Sequence, residues 1–327
     1  MENSPGGKAA VKIIGDIKKN IETVIVGKGG AVDLLLICLL CGGHALIEDV
    51  PGVGKTSLAA SLAASVSCGF RRVQFTPDVL PSDVTGFTMY HPVTGERQFI
   101  EGAVMSNILL ADELNRTSPK TQSALLQAMQ EGVVTVDGET RPLPRPFMVC
   151  ATQNPVELAG TYPLPEAQLD RFLLRIAMGY PERGDELTIL ERNKRGGMTR
   201  TGGDKPAPKP AASARDVLAV QSALENVICS GPVMSYIVDI ARRTRAHKDV
   251  LLGVSPRGSV ALMKASMGRA LLSGREYVLP DDVQAMAKPA LCHRLILRVQ
   301  AYTQNRASED ILSEVLHMAP VPAVSGP

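Results

Sequence analysis

The sequence Gly-Lys-Thr after a short apolar run is the stretch best suited to chemistry. Residues 44–64 read as an apolar run, a Gly/Pro turn, the pair Lys55-Thr56 and an Ala/Leu-rich segment. This order predicts a strand that ends in a phosphate-binding loop and restarts as a helix. Gly52 and Gly54 let successive N–H groups turn into one concavity, and the helix N-terminus makes that concavity more positive. We expect Lys55 to reach the outer phosphates of a nucleotide and the Thr56 hydroxyl to hold Mg²⁺.

The strict phosphate-loop pattern is broken, because Asp49 stands where the first glycine belongs. A chance Gly-Lys-Thr at a helix start is therefore an alternative, and a magnesium-holding carboxylate on another strand is needed to decide. Asp112 and Glu113 directly follow the apolar run 107–111, which is typical of a strand buried on both faces of a parallel sheet. Such strands carry ligands at their carboxyl ends, so the required carboxylate is present.

Each polar residue at a strand end has a distinct role in phosphoryl transfer. Asp112 would hold Mg²⁺ through water, and Glu113 would orient or deprotonate the attacking water. Asn154, after the strand 147–152, could hydrogen-bond that water and the γ-phosphate. An acidic pair is also common in solvated loops, and Asn154 alone could be a turn residue. The coincidence of all three with the phosphate loop favours an ATPase.

Strands that alternate with helices predict the α/β class with a doubly wound, five-stranded parallel sheet. The expected strands cover residues 44–48, 72–75, 107–111, 147–152 and 173–178. Helices are expected at 31–41, 57–67 and 119–130, and hairpins at 87–100 and 133–143 leave the sheet as insertions.

The chain becomes helical after residue 181, which predicts an ATP-binding core over 1–181 and a second domain over 182–317. The expected helices of that domain are 214–228, 231–247, 256–273 and 280–299. Residues 194–213 are rich in Gly, Pro and Lys, which indicates a mobile basic loop, and a solvated tether is favoured over nucleic-acid binding. The last residues, 318–327, are expected to be disordered.

Composition narrows the possible partners. The 327 residues are 45% hydrophobic but only 4% aromatic, with no Trp, so stacking platforms for single-stranded nucleic acid are scarce. The net charge of +2 gives no electrostatic reason to propose DNA or an anionic membrane. The most apolar segment, 34–43, is too short to span a bilayer, and the N-terminus lacks a secretory pattern, so we expect a cytoplasmic protein.

Six cysteines are expected to be reduced, and most of them lie in apolar or helix-like stretches. Cys38 and Cys41 form a C-x-x-C, but no second pair with similar spacing exists to complete a zinc site. The segment LLLICLLC is interpreted as part of one buried helix.

Long stretches of the sequence resemble the MoxR group of AAA+ ATPases, from near residue 20 to near residue 300. The matching stretches are EDVPGVGKT at 48–56, QFTPDVLPSDVTG at 74–86, NILLADELNR at 107–116, PKTQSALLQAMQEGVVTVDGET at 119–140, ATQNP at 151–155, GTYPLPEAQLDRFL at 160–173 and SPRGSVALM at 255–263. The resemblance implies an AAA+ P-loop core of αβα architecture, in which the two hairpins are the helix-2 and pre-sensor-1 insertions, followed by an all-α helical lid domain.

Site roles follow from the resemblance residue by residue. It implies that Asp112 and Glu113 are the Walker B pair and that Asn154 is sensor 1. It also implies that Arg171 is the arginine finger, that Arg257 is sensor 2, and that Val26 and Gly27 belong to the adenine pocket. The phosphate loop that it implies comprises Pro51, Gly52, Val53, Gly54, Lys55, Thr56 and Ser57. Whether Arg257 acts on its own nucleotide or on a neighbour's stays open. An arginine finger comes from a neighbouring subunit, so a homo-oligomeric ring is expected, most simply a hexamer, and Arg116 is expected at the same interface.

The function implied is an ATP- and Mg²⁺-dependent, chaperone-like remodeller that matures enzymes, inserts metal cofactors or assembles complexes. A protein client or a partner carrying a von Willebrand factor A domain is expected. Three alternatives stay open: the motor subunit of a metal chelatase, a nucleotide-gated binding switch with little turnover, and a ring that acts on DNA. The last is disfavoured by the weak net charge and the scarcity of aromatic residues.

Overall fold

A computed structural model describes residues 7–48, 52–90, 93, 95–154, 160–195 and 209–323. The helices of these ranges are α1 (Gly7–Glu22), α2 (Gly29–Leu40), α3 (Lys55–Ser65), α4 (Pro81–Thr85), α5 (Pro119–Glu131), α6 (Glu166–Leu169), α7 (Arg183–Arg195), α8 (Ala214–Leu224), α9 (Gly231–Ala246), α10 (Pro256–Leu272), α11 (Pro280–Leu291), α12 (Val299–Thr303) and α13 (Ser308–Met318). The strands are β1 (Ala45–Glu48), β2 (Phe70–Gln74), β3 (Gly86–Tyr90), β4 (Arg97–Glu101), β5 (Ile108–Asp112), β6 (Val133–Val136), β7 (Glu139–Pro142), β8 (Met148–Gln153), β9 (Leu174–Ile176), β10 (Val250–Leu252) and β11 (Ile296–Leu297).

Five strands form one parallel sheet in the order β2-β5-β8-β1-β9. The strand β1 lies in the interior of this sheet, with Ala45 opposite Cys150 on one side and Leu174 on the other. Because all five strands run the same way, the segments that follow β1, β5 and β8 meet at one edge. The predicted α/β fold with a five-stranded parallel sheet is confirmed.

Apolar layers cover both faces of this sheet. In β5, Ile108 and Leu110 belong to one buried cluster, while Leu109 and Ala111 belong to another. Since successive side chains of a strand point to opposite faces, a strand buried on both sides must be apolar at every position. This explains the uninterrupted apolar run that the sequence shows there.

The apolar segment before β1 is the buried helix α2, as its composition predicts. Eight of its residues are buried, among them Cys38. Burial raises the pKa of Cys41, which follows α2, to about 12, and that of Cys150 on β8 also to about 12. These thiols therefore stay protonated at neutral pH. The six cysteines are free, and within the described ranges no group of three or more His, Cys, Asp or Glu side chains is placed to hold a metal ion.

Two antiparallel hairpins leave the core where the sequence predicts them. The strands β3 and β4 pair with Phe87 opposite Ile100, and β6 and β7 pair with Val134 opposite Arg141. The Arg141 guanidinium carbon lies 4.1 Å from the centre of the Phe99 ring, so a cation–π contact joins the two hairpins.

The helical domain differs from the prediction in three places. The helix expected over 280–299 ends at Leu291, because Pro289 removes a backbone donor and the chain then turns into β11. There Leu297 pairs with Val250 of β10, so a small antiparallel sheet accompanies the helices. The helix α13 was not predicted.

The ends of two segments predicted to be mobile or disordered belong to the fold. Before the loop expected at 194–213, α7 continues to Arg195, and after residues 196–208, which lie outside the described residues, the Ala211 and Ala212 N–H groups donate to the Ser65 carbonyl. In the tail expected to be disordered, Met318 is helical and Ala319 is 4% exposed, while 324–327 lie outside the described residues. No described helix is long and apolar enough to cross a membrane.

Candidate active site

The segment between β1 and α3 has the backbone of a phosphate loop. Gly52 and Gly54 have φ angles of +85° and +93°, a region that glycine enters without strain. No atom of the described residues lies within 4 Å of where a Cβ would stand at either position. Gly54 precedes Lys55, the first residue of α3. The first turn of a helix offers unpaired N–H groups, so this concavity is suited to an anion.

The other expected phosphate-loop residues flank this turn. Lys55, Thr56 and Ser57 form the first turn of α3, and Thr56 is half-buried while Ser57 is exposed. The side chain of Val53 packs against the apolar core below. Pro51 lies outside the described residues, as does Asp49.

The acidic pair follows β5 at the same edge of the sheet. Asp112 is the last residue of β5 and is 9% exposed, and Glu113 adopts a left-handed conformation with φ of +55°. The Thr152 hydroxyl on the neighbouring strand β8 donates to Asp112 Oδ1 at 2.6 Å and accepts from the Glu113 N–H at 2.8 Å. One buried hydroxyl thus contacts both acidic residues.

The second oxygen of Asp112 is bound by an arginine on the other neighbouring strand. Arg72 of β2 places Nη2 2.7 Å and Nε 3.3 Å from Asp112 Oδ2. Thr152 and Arg72 together hold a largely buried carboxylate in one orientation beside the phosphate loop. The Asp112 carboxylate and the Thr56 hydroxyl are hard oxygen donors, which are the ligands that Mg²⁺ prefers.

Neither Thr152 nor Arg72 was predicted as a site residue. Thr152 is a lone hydroxyl in an apolar strand, two residues before Asn154 and hence on the same face, and this position was a usable signal. Arg72 had no comparable signal, because its role depends on the order of strands in the sheet.

The Glu113 carboxylate has a partner of its own. Arg116 Nη1 lies 3.0 Å from Glu113 Oε2, and the two side chains are 37% and 28% exposed. An ion pair as exposed as this contributes about 0–1 kcal/mol, so it can break at little cost. Arg116 therefore forms an ion pair with Glu113, the candidate base of its own chain.

Asn154 directly follows β8 and is half-buried. Because β8 lies between β5 and β1 in the sheet, Asn154 is at the same edge as Asp112 and the phosphate loop. The structure thus brings together the three elements that the sequence predicts to act on phosphate.

The two expected catalytic arginines lie at the opposite edge. Leu173 donates its N–H to the carbonyl of His44, the residue before β1, so Arg171 lies at the amino ends of the strands. Arg257 is in the first turn of α10, whose N-cap Ser255 contacts Asp170. A five-residue strand spans roughly 17 Å, which separates both arginines from the phosphate loop of their own chain.

A cavity of about 830 Å³ opens beside Gly27, between α1, α2, the end of β9 and the helices α10 and α11. Lys28 and Tyr180 also line it, and Lys28 Nζ donates to the Tyr180 carbonyl at 2.7 Å. Its size is in the range of small-molecule sites. Of the two residues expected at the adenine, Gly27 lines this cavity and Val26 does not.

A parallel sheet with a phosphate loop after one strand, an acidic pair after a second and an asparagine after a third defines the class of P-loop ATPases. Comparisons with known proteins identify a family within this class. Residues 44–174 match the model of the ATPase family associated with various cellular activities (AAA), and residues 242–315 match the AAA lid domain.

Relatives cover nearly the whole chain. The uncharacterized protein YeaC of Bacillus subtilis is 49% identical over 95% of both chains, and Chaperone MoxR1 of Mycobacterium tuberculosis is 39% identical over 93% of this chain and 81% of its own length. A crystal structure from Cytophaga hutchinsonii superposes with a TM-score of 0.88 at 35% identity, covering 97% of each chain. The chain therefore belongs to the MoxR family of AAA+ ATPases, and it is an ATP hydrolase.

Proposed function

We propose that this chain is a Mg²⁺-dependent ATPase that works as a chaperone-like remodeller in a ring of identical subunits. The observation that carries the proposal is the division of the site between two edges of the sheet. The phosphate loop, Asp112, Glu113 and Asn154 share one edge, while Arg171 and Arg257 share the other. A complete site then requires two copies of the chain.

Within one subunit, the residues at the carboxyl edge bind and activate the nucleotide. The N–H groups after Gly52 and the Lys55 ammonium bind the phosphates. Thr56 and Asp112 would hold Mg²⁺, which would supply charge neutralisation for the γ-phosphate. Glu113 accepts a proton from the attacking water, and Asn154 orients that water against the γ-phosphate. The products are ADP and inorganic phosphate.

The adenine base fits the cavity beside Gly27. Its apolar walls include Ile14, Leu34 and Met178, which suit the faces of a purine. A Cβ at Gly27 would stand 1.8 Å from Asp185 Oδ2 of α7, so the absence of a side chain there keeps the loop close to the helical domain.

Across a subunit boundary, Arg171 and Arg257 contact the nucleotide of the neighbouring copy. Neither guanidinium has a partner among the described residues: Arg257 is exposed, and Arg171 is half-buried with its Nε buried and without a hydrogen-bond acceptor. A buried guanidinium nitrogen without an acceptor is costly, so Arg171 is suited to an anion that arrives from outside the chain. We expect six subunits in the ring.

The hairpins are the proposed contact with client proteins. Phe87, Met89 and Tyr90 of β3 are 45%, 46% and 56% exposed, an unusual concentration of apolar surface on one strand. The Arg141–Phe99 contact joins the two hairpins, so we expect them to move together. A relative is named Chaperone MoxR1, which agrees with a client that is a protein. A partner that carries a von Willebrand factor A domain stays part of the proposal.

The test is ATP hydrolysis per chain over a range of protein concentrations, with and without Mg²⁺. We expect a specific rate that rises with concentration, requires Mg²⁺ and collapses in both Glu113→Gln and Arg171→Ala. Aggregation of a heat-unfolded reporter enzyme, followed with ATP and with ADP, tests the chaperone role. A rate independent of concentration would contradict shared sites, and unaltered aggregation in ATP would contradict the chaperone role. Stimulation only by a porphyrin-binding partner or by DNA would indicate a chelatase motor or a DNA-acting ring instead.

A further inference from the structure

The carboxylate of Asp170 joins three segments that are distant in the sequence. Its Oδ1 lies 2.7 Å from Arg294 Nε, in the turn that follows α11, and its Oδ2 accepts from Ser255 Oγ at 3.2 Å. Ser255 is also the N-cap of α10, since its Oγ accepts from the Gly258 N–H. Asp170 therefore ties the end of the core's α6 segment to the helical domain at two points.

Arg294 binds the backbone of the same segment as well. Its guanidinium donates to the carbonyls of Asp170 at 3.1 Å, Phe172 at 2.7 Å and Leu173 at 3.3 Å. The side chains of Arg294 and Asp170 are only 4% and 15% exposed. A buried ion pair with this many hydrogen bonds has one geometry, because any displacement leaves charge without a partner.

The two candidate trans arginines extend from the segments that this cluster holds. Arg171 lies between Asp170 and Phe172, whose carbonyls both accept from Arg294, and Arg257 follows Ser255 by two residues. Asp170 does not pair with the adjacent Arg171 but with Arg294, more than a hundred residues away. This leaves the Arg171 side chain available to a group outside the chain.

We propose that Asp170, held by Arg294 and Ser255, is a positioning residue that sets Arg171 and Arg257 as a fixed pair for the phosphates of one nucleotide on the neighbouring subunit. This inference rests on the proposed shared site. Asp170 itself does not touch the nucleotide. It acts by keeping the Arg171 guanidinium of the core and the Arg257 guanidinium of the helical domain at a fixed distance from each other.

The test is complementation between two defective chains. Asp170→Asn removes the charge that Arg294 needs and leaves the phosphate loop intact, whereas Lys55→Ala leaves the Asp170 cluster intact and disables nucleotide binding. We expect Asp170→Asn alone to lower kcat by about 10–100-fold, the range for a misplaced catalytic group. The Kd for a fluorescent ATP analogue should stay within about twofold, since Asp170 is remote from the bound nucleotide of its own chain. Mixing the two chains should give a rate well above either one alone.

The matched control is Asp249→Asn. Asp249 pairs with Arg306 at 2.5 Å, and its side chain is 15% exposed, the same fraction as that of Asp170. Among the described residues, no hydrogen bond or ion pair joins the Asp249 side chain to Asp170, Ser255 or Arg294, so this variant should lose stability without losing kcat. If Asp170→Asn does not fold, Ser255→Ala removes the contact to Asp170 Oδ2 together with the N-cap of α10, and it should show the same rescue.

Two outcomes would overturn the inference. The first is a wild-type kcat for Asp170→Asn. The second is a slow Asp170→Asn chain whose rate does not recover on mixing with Lys55→Ala, in an assay where the rate of Arg171→Ala does recover on mixing with Lys55→Ala. Failure to rescue Arg171→Ala as well would instead reject the shared site of the proposed function.

Discussion

The Thr152 hydroxyl and the Asp112 carboxylate form a 2.6 Å hydrogen bond between two buried neighbouring strands. The same hydroxyl accepts from the Glu113 N–H, and Glu113 needs this support because its φ is positive. Thr152 is fully buried, so no water can replace it at either partner. Thr152 therefore supports both the candidate magnesium ligand and the candidate base.

We expect Thr152→Val to lower kcat by about 10–100-fold with little change in the affinity for ATP, as outer-shell partners of metal ligands do. The substitution conserves shape but leaves the Asp112 oxygen and the Glu113 N–H without partners. Steady-state hydrolysis and nucleotide titration measure the two quantities.

The matched control for this change is Thr244→Val in the helical domain. Thr244 is equally buried, and its hydroxyl donates to the Ala241 carbonyl at 2.6 Å and accepts from the Val254 N–H at 3.1 Å. Both variants should lose about 1–3 kcal/mol of stability through unsatisfied groups. Equal losses of kcat in the two variants would show that Thr152 acts only through stability.

We expect Glu113→Gln to lower the hydrolysis rate by roughly 10²–10⁴, because the amide cannot accept the proton of the attacking water. Nucleotide binding should persist, since Arg116 Nη1, now 3.0 Å from a Glu113 oxygen, can donate equally to the amide carbonyl. Glu101→Gln is the control, because Glu101 pairs with Arg71 at 3.2 Å on the surface, away from the site. A Glu113→Gln chain that turns over at the wild-type rate would remove Glu113 from the role of base.

We expect the activity of Arg257→Ala to recover on mixing with Lys55→Ala. Arg257 lies at the amino edge of the sheet, so the lost charge can be supplied by an intact Arg257 on a Lys55→Ala neighbour. Replacement of the exposed Arg242 of α9 should need no rescue. A defect in Arg257→Ala that mixing leaves unchanged would mean that Arg257 acts on its own nucleotide.

We expect stability to fall as the pH falls from about 6.5 to 4, because burial lowers the pKa of His44 to about 4. The Val149 N–H donates to His44 Nδ1 at 3.0 Å, so the native ring is neutral, with Nε2 facing the Met129 carbonyl at 3.1 Å. In this pH window the unfolded chain binds a proton that the native chain does not, so ΔG of unfolding decreases by up to about 3 kcal/mol on acidification.

Urea midpoints at several pH values measure this effect. His44→Gln should flatten the dependence in part, since burial also lowers the pKa of His293 and adds a second contribution of the same sign. An unchanged slope in His44→Gln would refute the assignment.

Much of the fold and of the nucleotide edge was predictable, because the signals are local. Three signals each lie within a few residues of the sequence: a glycine turn before Lys55, an apolar strand ending in Asp112 and a strand ending before Asn154. Parallel strands place their carboxyl ends at one edge, so these separate motifs converge without further information. The hairpins were predictable for the same reason.

Contacts between distant residues were decided only by the tertiary structure. Arg72 meets Asp112 because β2 lies beside β5, and Arg294 meets Asp170 across 124 residues because α11 ends against the amino edge of the sheet. Likewise, β11 replaces the end of a predicted helix because Leu297 finds a partner in Val250. The sequence by itself therefore determined which residues are the candidates to bind and hydrolyse ATP. The packing of the helical domain on the sheet decided that Arg257 joins Arg171 at the amino edge, since contacts between distant residues form only when folding brings their members together.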